Sequence, residues 1–118
     1  WAIFCLFFWP IMDTLVAIFR RCLKRNSINQ ADYMHFHQLV RRVLVTYSGG
    51  RISQKSANPL STIIILPFCI SIALLGVLFL ESHFFSVLTV IFSTFLFVGS
   101  YYLLIFSYRS RSFKKFKK

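Results

Sequence analysis

The chain has 118 residues, 57% of them hydrophobic and 19% aromatic, with fifteen Phe, five Tyr and two Trp, and its mean hydropathy is +0.66. Charge is sparse and one-sided: 14 Lys and Arg stand against 3 Asp and Glu, a net charge of +11. This excludes a disordered chain and an ordinary water-soluble domain, and the length allows one domain at most. A disulfide scaffold is disfavoured. Cys5, Cys22 and Cys69 are odd in number, lack CxxC or metal spacing, and two of them lie in apolar runs where a thiol serves as a small hydrophobe.

The chain opens at Trp1 inside an apolar run, with no Met, basic n-region or small-residue cleavage site before it, so it reads as the C-terminal part of a longer protein. Residues 1–19 are expected to be the end of a transmembrane segment, interrupted by Pro10 and Asp13. An acid in a membrane helix is costly, which predicts that Asp13 faces other helices or sits at the interface.

Residues 20–58 form a basic loop carrying Arg20, Arg21, Lys24, Arg25, Arg41, Arg42, Arg51 and Lys55. Within it, Phe36, Leu39, Val40, Val43, Leu44 and Tyr47 recur at the spacing of one helical face, which predicts an amphipathic helix over 32–47. Asn29 or Asp32 is expected to cap its start, and Gly49-Gly50 to end it. The opposite arc holds His35, His37, Gln38, Arg41 and Arg42, with Val45 the one misfit.

Two uncharged runs follow, 59–80 and 84–107, each long enough to cross a bilayer, which takes roughly 20 apolar residues. Pro67 and Gly76 are tolerated in membrane helices, and Tyr101 and Tyr102 stand where interfacial anchors would. The polar link at 81–83 is so short that the two spans must form an antiparallel hairpin. A polybasic tail, 108–118, completes the chain with Arg109, Arg111, Lys114, Lys115, Lys117 and Lys118. The link carries no Lys or Arg. Basic loop and basic tail therefore share one side, and the positive-inside rule makes it the cytoplasm. The fold expected is all-α: a polytopic helical membrane protein of about three transmembrane segments and a cytoplasmic amphipathic helix.

Arginine grips phosphate oxygens with a planar fork, so Arg41 and Arg42 beside His35, His37 and Gln38 suit a diphosphate at the membrane surface. The plainer alternative is a positive-inside loop that touches anionic lipid heads. Metal binding by the histidines is disfavoured, because residues two apart on a helix diverge by about 200°. His83, in the far link, is given no role. No Ser-His-Asp set, glycine-rich phosphate loop or carboxylate pair is present, and Asp13, Asp32 and Glu81 are the only acids. Nucleic-acid binding is disfavoured despite a pI near 10.2, since the cations follow membrane boundaries.

Pro10-Ile-Met-Asp13-Thr14, then Arg20-Arg21, Lys24 and Ser27, then Asp32-Tyr-Met-His35-Phe-His37-Gln38-Leu39, together resemble the late cytoplasmic loop of the bacterial polyprenyl-phosphate N-acetylhexosamine-1-phosphate transferases. These are membrane enzymes of glycosyltransferase family 4, related to phospho-N-acetylmuramoyl-pentapeptide transferase. In that family a P-x-x-D-T element closes a span, two arginines follow, and a D-x-x-H-x-H-H motif lies in the loop. The match covers residues 10–39. It departs at Gln38, where the family has its last histidine, and at Ser27-Ile28-Asn29, where the family has Ser-Pro-Phe. Gln keeps hydrogen bonding but carries neither a proton nor a positive charge.

The resemblance implies transfer of a sugar-1-phosphate, an N-acetylhexosamine, from a UDP-sugar to polyprenyl (undecaprenyl) phosphate, with UMP released, in O-antigen or cell-wall biosynthesis at the bacterial inner membrane. It implies Mg²⁺, with the family's metal-binding and catalytic aspartates in earlier loops outside this chain. His35, His37, Arg41 and Arg42 are then substrate-binding residues, and Asp13, Arg20, Arg21, Asp32 and Gln38 motif positions of structural or binding role. No residue here is assigned as catalytic or as a metal ligand. The competing expectation is a non-catalytic membrane-anchored subunit, or an inactive truncated product, whose basic loop binds anionic lipid or an acidic partner.

Overall fold

The computed structural model describes residues 1–24, 34–49 and 51–115. Among them every regular element is an α-helix: α1 (Ala2–Leu6), α2 (Phe8–Lys24), α3 (Phe36–Tyr47), α4 (Gln54–Leu78) and α5 (His83–Lys115). The first apolar stretch is thus two helices. Pro10 lacks an N–H for the Leu6 carbonyl and its ring crowds that turn, so the ladder breaks at Phe7. Arg20 and Arg21 fall near the C-terminus of α2, where cations complement the helix dipole.

Helix α3 begins at Phe36, the first residue of the apolar face and later than the expected start at 32, and Asn29 and Asp32, the expected caps, lie outside the described residues. Its end is as read. The Ser48 N–H donates to the Leu44 carbonyl, and Gly49 takes φ +62°, a left-handed conformation that glycine adopts without Cβ strain. Phe36, Leu39 and Val40 are buried, Val43 and Leu44 half-buried, whereas Tyr47 is exposed because the helix ends there.

The two long helices exceed the runs that predict them. Ser53 caps α4, its hydroxyl accepting the Ser56 N–H at 3.2 Å, so the helix starts ahead of Pro59 and holds Pro59 and Pro67 inside. Helix α5 runs on into the basic tail. Between them, Phe79 to Ser82 turn the chain, and the Ser86 hydroxyl donates to the Phe79 carbonyl at 2.7 Å to clasp the turn.

Helix α3 lies against both α4 and α5, and α1 packs on α4. The core is aromatic. Phe97 of α5 meets Trp9 at 4.9 Å, Phe36 at 5.0 Å and Phe8 at 6.4 Å between ring centroids, and Trp9 meets Phe36 at 4.8 Å. Met12, Leu39, Val40, Ile65 and Tyr101 complete it. Small buried residues, Gly76 on α4 with Ser86, Thr89 and Ser93 on α5, permit close helix approach. The long helices otherwise turn outward: of the apolar windows in α4 and α5, only 11% and 22% is buried. Both are long and apolar enough to cross a membrane, and a soluble core helix would have most of that surface covered.

Candidate functional site

An α-helix leaves its first N–H groups without partners, and His35, at the N-cap of α3, has no short side-chain oxygen to serve them. Asp13 of α2 supplies the acceptor instead. Its Oδ1 accepts the Phe36 N–H at 2.8 Å, and its Oδ2 lies 2.9 Å from His35 Nδ1. Of the two places expected for the acid in the apolar stretch, it takes the one that faces another element. An ionised Asp13 draws the ring proton to Nδ1, leaving Nε2 as a lone pair on the neutral ring or a second donor on the protonated one. The carboxylate is the more enclosed partner, at 18% side-chain exposure against 34% for the imidazole.

His35 precedes the helix, so the helical angle that would send it away from His37 does not apply. The two rings stack, 6.2 Å between centroids and 15° between planes. His37 is exposed. One turn further on, Arg41 Nη1 donates to Asn58 Oδ1 of α4 at 3.4 Å. Arg42 Nη1 lies 3.8 Å from the Met34 sulfur, and its guanidinium stands 5.9 Å from the centre of the Tyr108 ring of α5. Both arginines are half-buried, their heads held by neighbouring helices.

Arg20 joins the same place from α2. Its Nη1 donates to Tyr101 Oη at 2.9 Å and approaches the Met34 carbonyl at 3.4 Å, while Tyr101 Oη donates to that carbonyl at 3.1 Å. Arg21 is half-buried, also near the end of α2. Gln38 is half-buried, and its Oε1 is enclosed without a donor among the described residues. Asp32 lies outside the described residues.

The structure thus gathers Asp13, Arg20, His35, His37 and Arg42 around the start of α3, with Arg41 one turn on. This is the end of the hairpin opposite the Phe79 to Ser82 turn. Asp13 is the one described acid there, since Glu81 sits in that turn, so the local balance is strongly positive. Anionic oxygens would meet imidazole and guanidinium donors. The residues do not fit Mg²⁺: no three His, Cys, Asp or Glu converge among the described residues, and both Asp13 oxygens already accept hydrogen bonds.

Sequence reasoning missed Tyr101, Met34, Asn58 and Tyr108. Tyr101, expected at the membrane interface, is buried at 3% exposure and points inward, while its neighbour Tyr102 is exposed. Nothing in the spacing links Tyr101 to residues so far upstream. Compared with known proteins, the chain matches no family model, no curated protein and no solved structure.

Proposed function

We propose that the chain is the C-terminal part of a polytopic membrane phosphoglycosyl transferase, with three membrane segments and with its basic loop and C-terminus on the cytoplasmic side of a bacterial inner membrane. It moves an N-acetylhexosamine-1-phosphate from a UDP-sugar to polyprenyl phosphate for cell-surface glycan synthesis. The observation that carries the reading is the contact of Asp13 with His35 and the Phe36 N–H, which unites two motif positions 22 residues apart at a cationic surface. The order of the Pro10-x-x-Asp13-Thr14, Arg20-Arg21 and Asp32-x-x-His35-x-His37 elements supports it.

In that reaction an oxygen of polyprenyl phosphate attacks the β-phosphorus of the UDP-sugar, and the bond to the α-phosphate breaks with UMP leaving. Charge grows on the departing phosphate, and fixed cationic donors stabilise it without reorganising. His35 and His37 bind diphosphate oxygens in this scheme, and Arg41 and Arg42 add charge beside them. On this reading the residues that would hold Mg²⁺ lie outside this chain, and the ion would neutralise diphosphate charge.

The test uses the complete protein that carries this segment, reconstituted in vesicles with UDP-N-acetylhexosamine and undecaprenyl phosphate, and measures UMP release. Replacing both histidines, His35→Ala with His37→Ala, is expected to lower kcat/KM by about 100-fold. Arg41→Lys with Arg42→Lys keeps net charge but loses the planar fork, and is expected to raise KM for the UDP-sugar. If activity ignores both changes and follows net charge alone, lipid anchoring is the role of these residues.

A further inference from the structure

His35 is flanked by two peptide groups, and each is tied to a different place. The carbonyl of the preceding peptide, Met34 O, accepts Tyr101 Oη at 3.1 Å, with Arg20 Nη1 at 3.4 Å from it and at 2.9 Å from the tyrosine oxygen. The N–H of the following peptide, at Phe36, donates to Asp13 Oδ1 at 2.8 Å, and the ring between them reaches Asp13 Oδ2 from Nδ1 at 2.9 Å. Backbone on both sides and side chain are thereby constrained together. Only the Tyr101 arm of this arrangement comes from α5.

We propose that Tyr101 is a positioning residue for His35, which makes the last long helix part of the histidine site. The Tyr101 ring is 3% exposed, 6.4 Å from the Phe36 ring, and belongs to the aromatic core, so its hydroxyl is presented from a rigid base. Arg20 polarises that hydroxyl by donating to its oxygen, which strengthens the hydrogen bond Tyr101 gives to Met34. The ring fills the core and the oxygen holds the peptide that precedes His35. The inference rests on the transferase reading only for its kinetic consequence.

Tyr101→Phe separates the two duties, because it keeps the ring and removes the oxygen. The control is Tyr102→Phe, at the exposed neighbouring position. The complete protein, solubilised in detergent, is treated with diethyl pyrocarbonate, and carbethoxylation at His35, His37 and His83 is followed by mass spectrometry; trypsin places His35 and His37 on the peptide 26–41. Tyr101→Phe is expected to change the rate at His35 by at least about threefold through local loosening, with His37 and His83 near their original rates. In the UMP-release assay the same variant is expected to lose about tenfold in kcat with little change in KM. An unchanged His35 rate overturns the proposal, as does an equal rise at all three histidines, which signals general loosening. Selective labelling in a protein that releases no UMP sustains the positioning role and sinks the transferase reading.

Discussion

At the scale of single residues, Asp13 does two jobs that two substitutions can separate. Asp13→Ala removes the acceptor for the Phe36 N–H and the partner of His35, and loss of a cap costs about 1 kcal/mol. Asp13→Asn retains an acceptor oxygen for the N–H, but its amide nitrogen can satisfy Nδ1 only by donating to it, which requires the other ring tautomer. Stability, followed by helical circular dichroism in detergent during heating, is therefore expected to fall in the order wild type, Asn, Ala. On the transferase reading, UMP release is expected to fall nearly as far with Asn as with Ala, because both change what Nε2 offers. The sequence made half of this legible. The cost of an acid in an apolar run leaves Asp13 two places, against another helix or at the interface; the partner that decides it lies in another element, and local spacing holds no trace of it.

Elements were legible where their signals are local. The face of α3 shows in the spacing of Phe36, Leu39 and Val40, and its end shows in Gly49, whereas its start does not, because the cap is a carboxylate borrowed from α2. Likewise Pro10 announces a break, yet the apolar run around it reads as one segment. Gly49 and Gly99 give a test with opposite signs. An added Cβ meets nothing within 4 Å at either Gly49 or Gly99, so only backbone preference is left to act. At Gly49 the φ of +62° is unfavourable for any residue with a Cβ, and Gly49→Ala is expected to destabilise by about 1 kcal/mol, with Asn less harmful. Inside α5, Gly99→Ala removes backbone freedom from the unfolded chain and is expected to be neutral or to stabilise by about 0.5 kcal/mol. Paired melts in detergent decide both, and equal signs would show that packing governs at least one site.

For the whole molecule, the decisive surface is the outer face of the hairpin. Helix α5 has 33 residues, a rod of about 50 Å, and the long axis of the molecule is 56 Å. A bilayer's hydrocarbon core is about 30 Å thick, so on the membrane reading α5 projects beyond it and carries Tyr108 and Arg109 to the side where Arg20, Arg41 and Arg42 gather. Along the spanning part, Phe95 is 74% exposed and Ile70 49% exposed. Water and lipid make contrary demands on such positions. If this face met water, Phe95→Arg would be a surface substitution, worth within about 0.5 kcal/mol, and would improve solubility. Facing hydrocarbon, an arginine near the middle of a span costs about 2.5–3.5 kcal/mol on insertion, enough to move a large share of molecules out of the bilayer. Cells expressing the chain are lysed and their membranes washed with alkaline carbonate. The unaltered chain is expected in the pellet, and Phe95→Arg and Ile70→Arg are expected to shift a substantial fraction to the supernatant or to degradation. Full retention of both variants beside the unaltered chain would mean that protein, not lipid, covers this face.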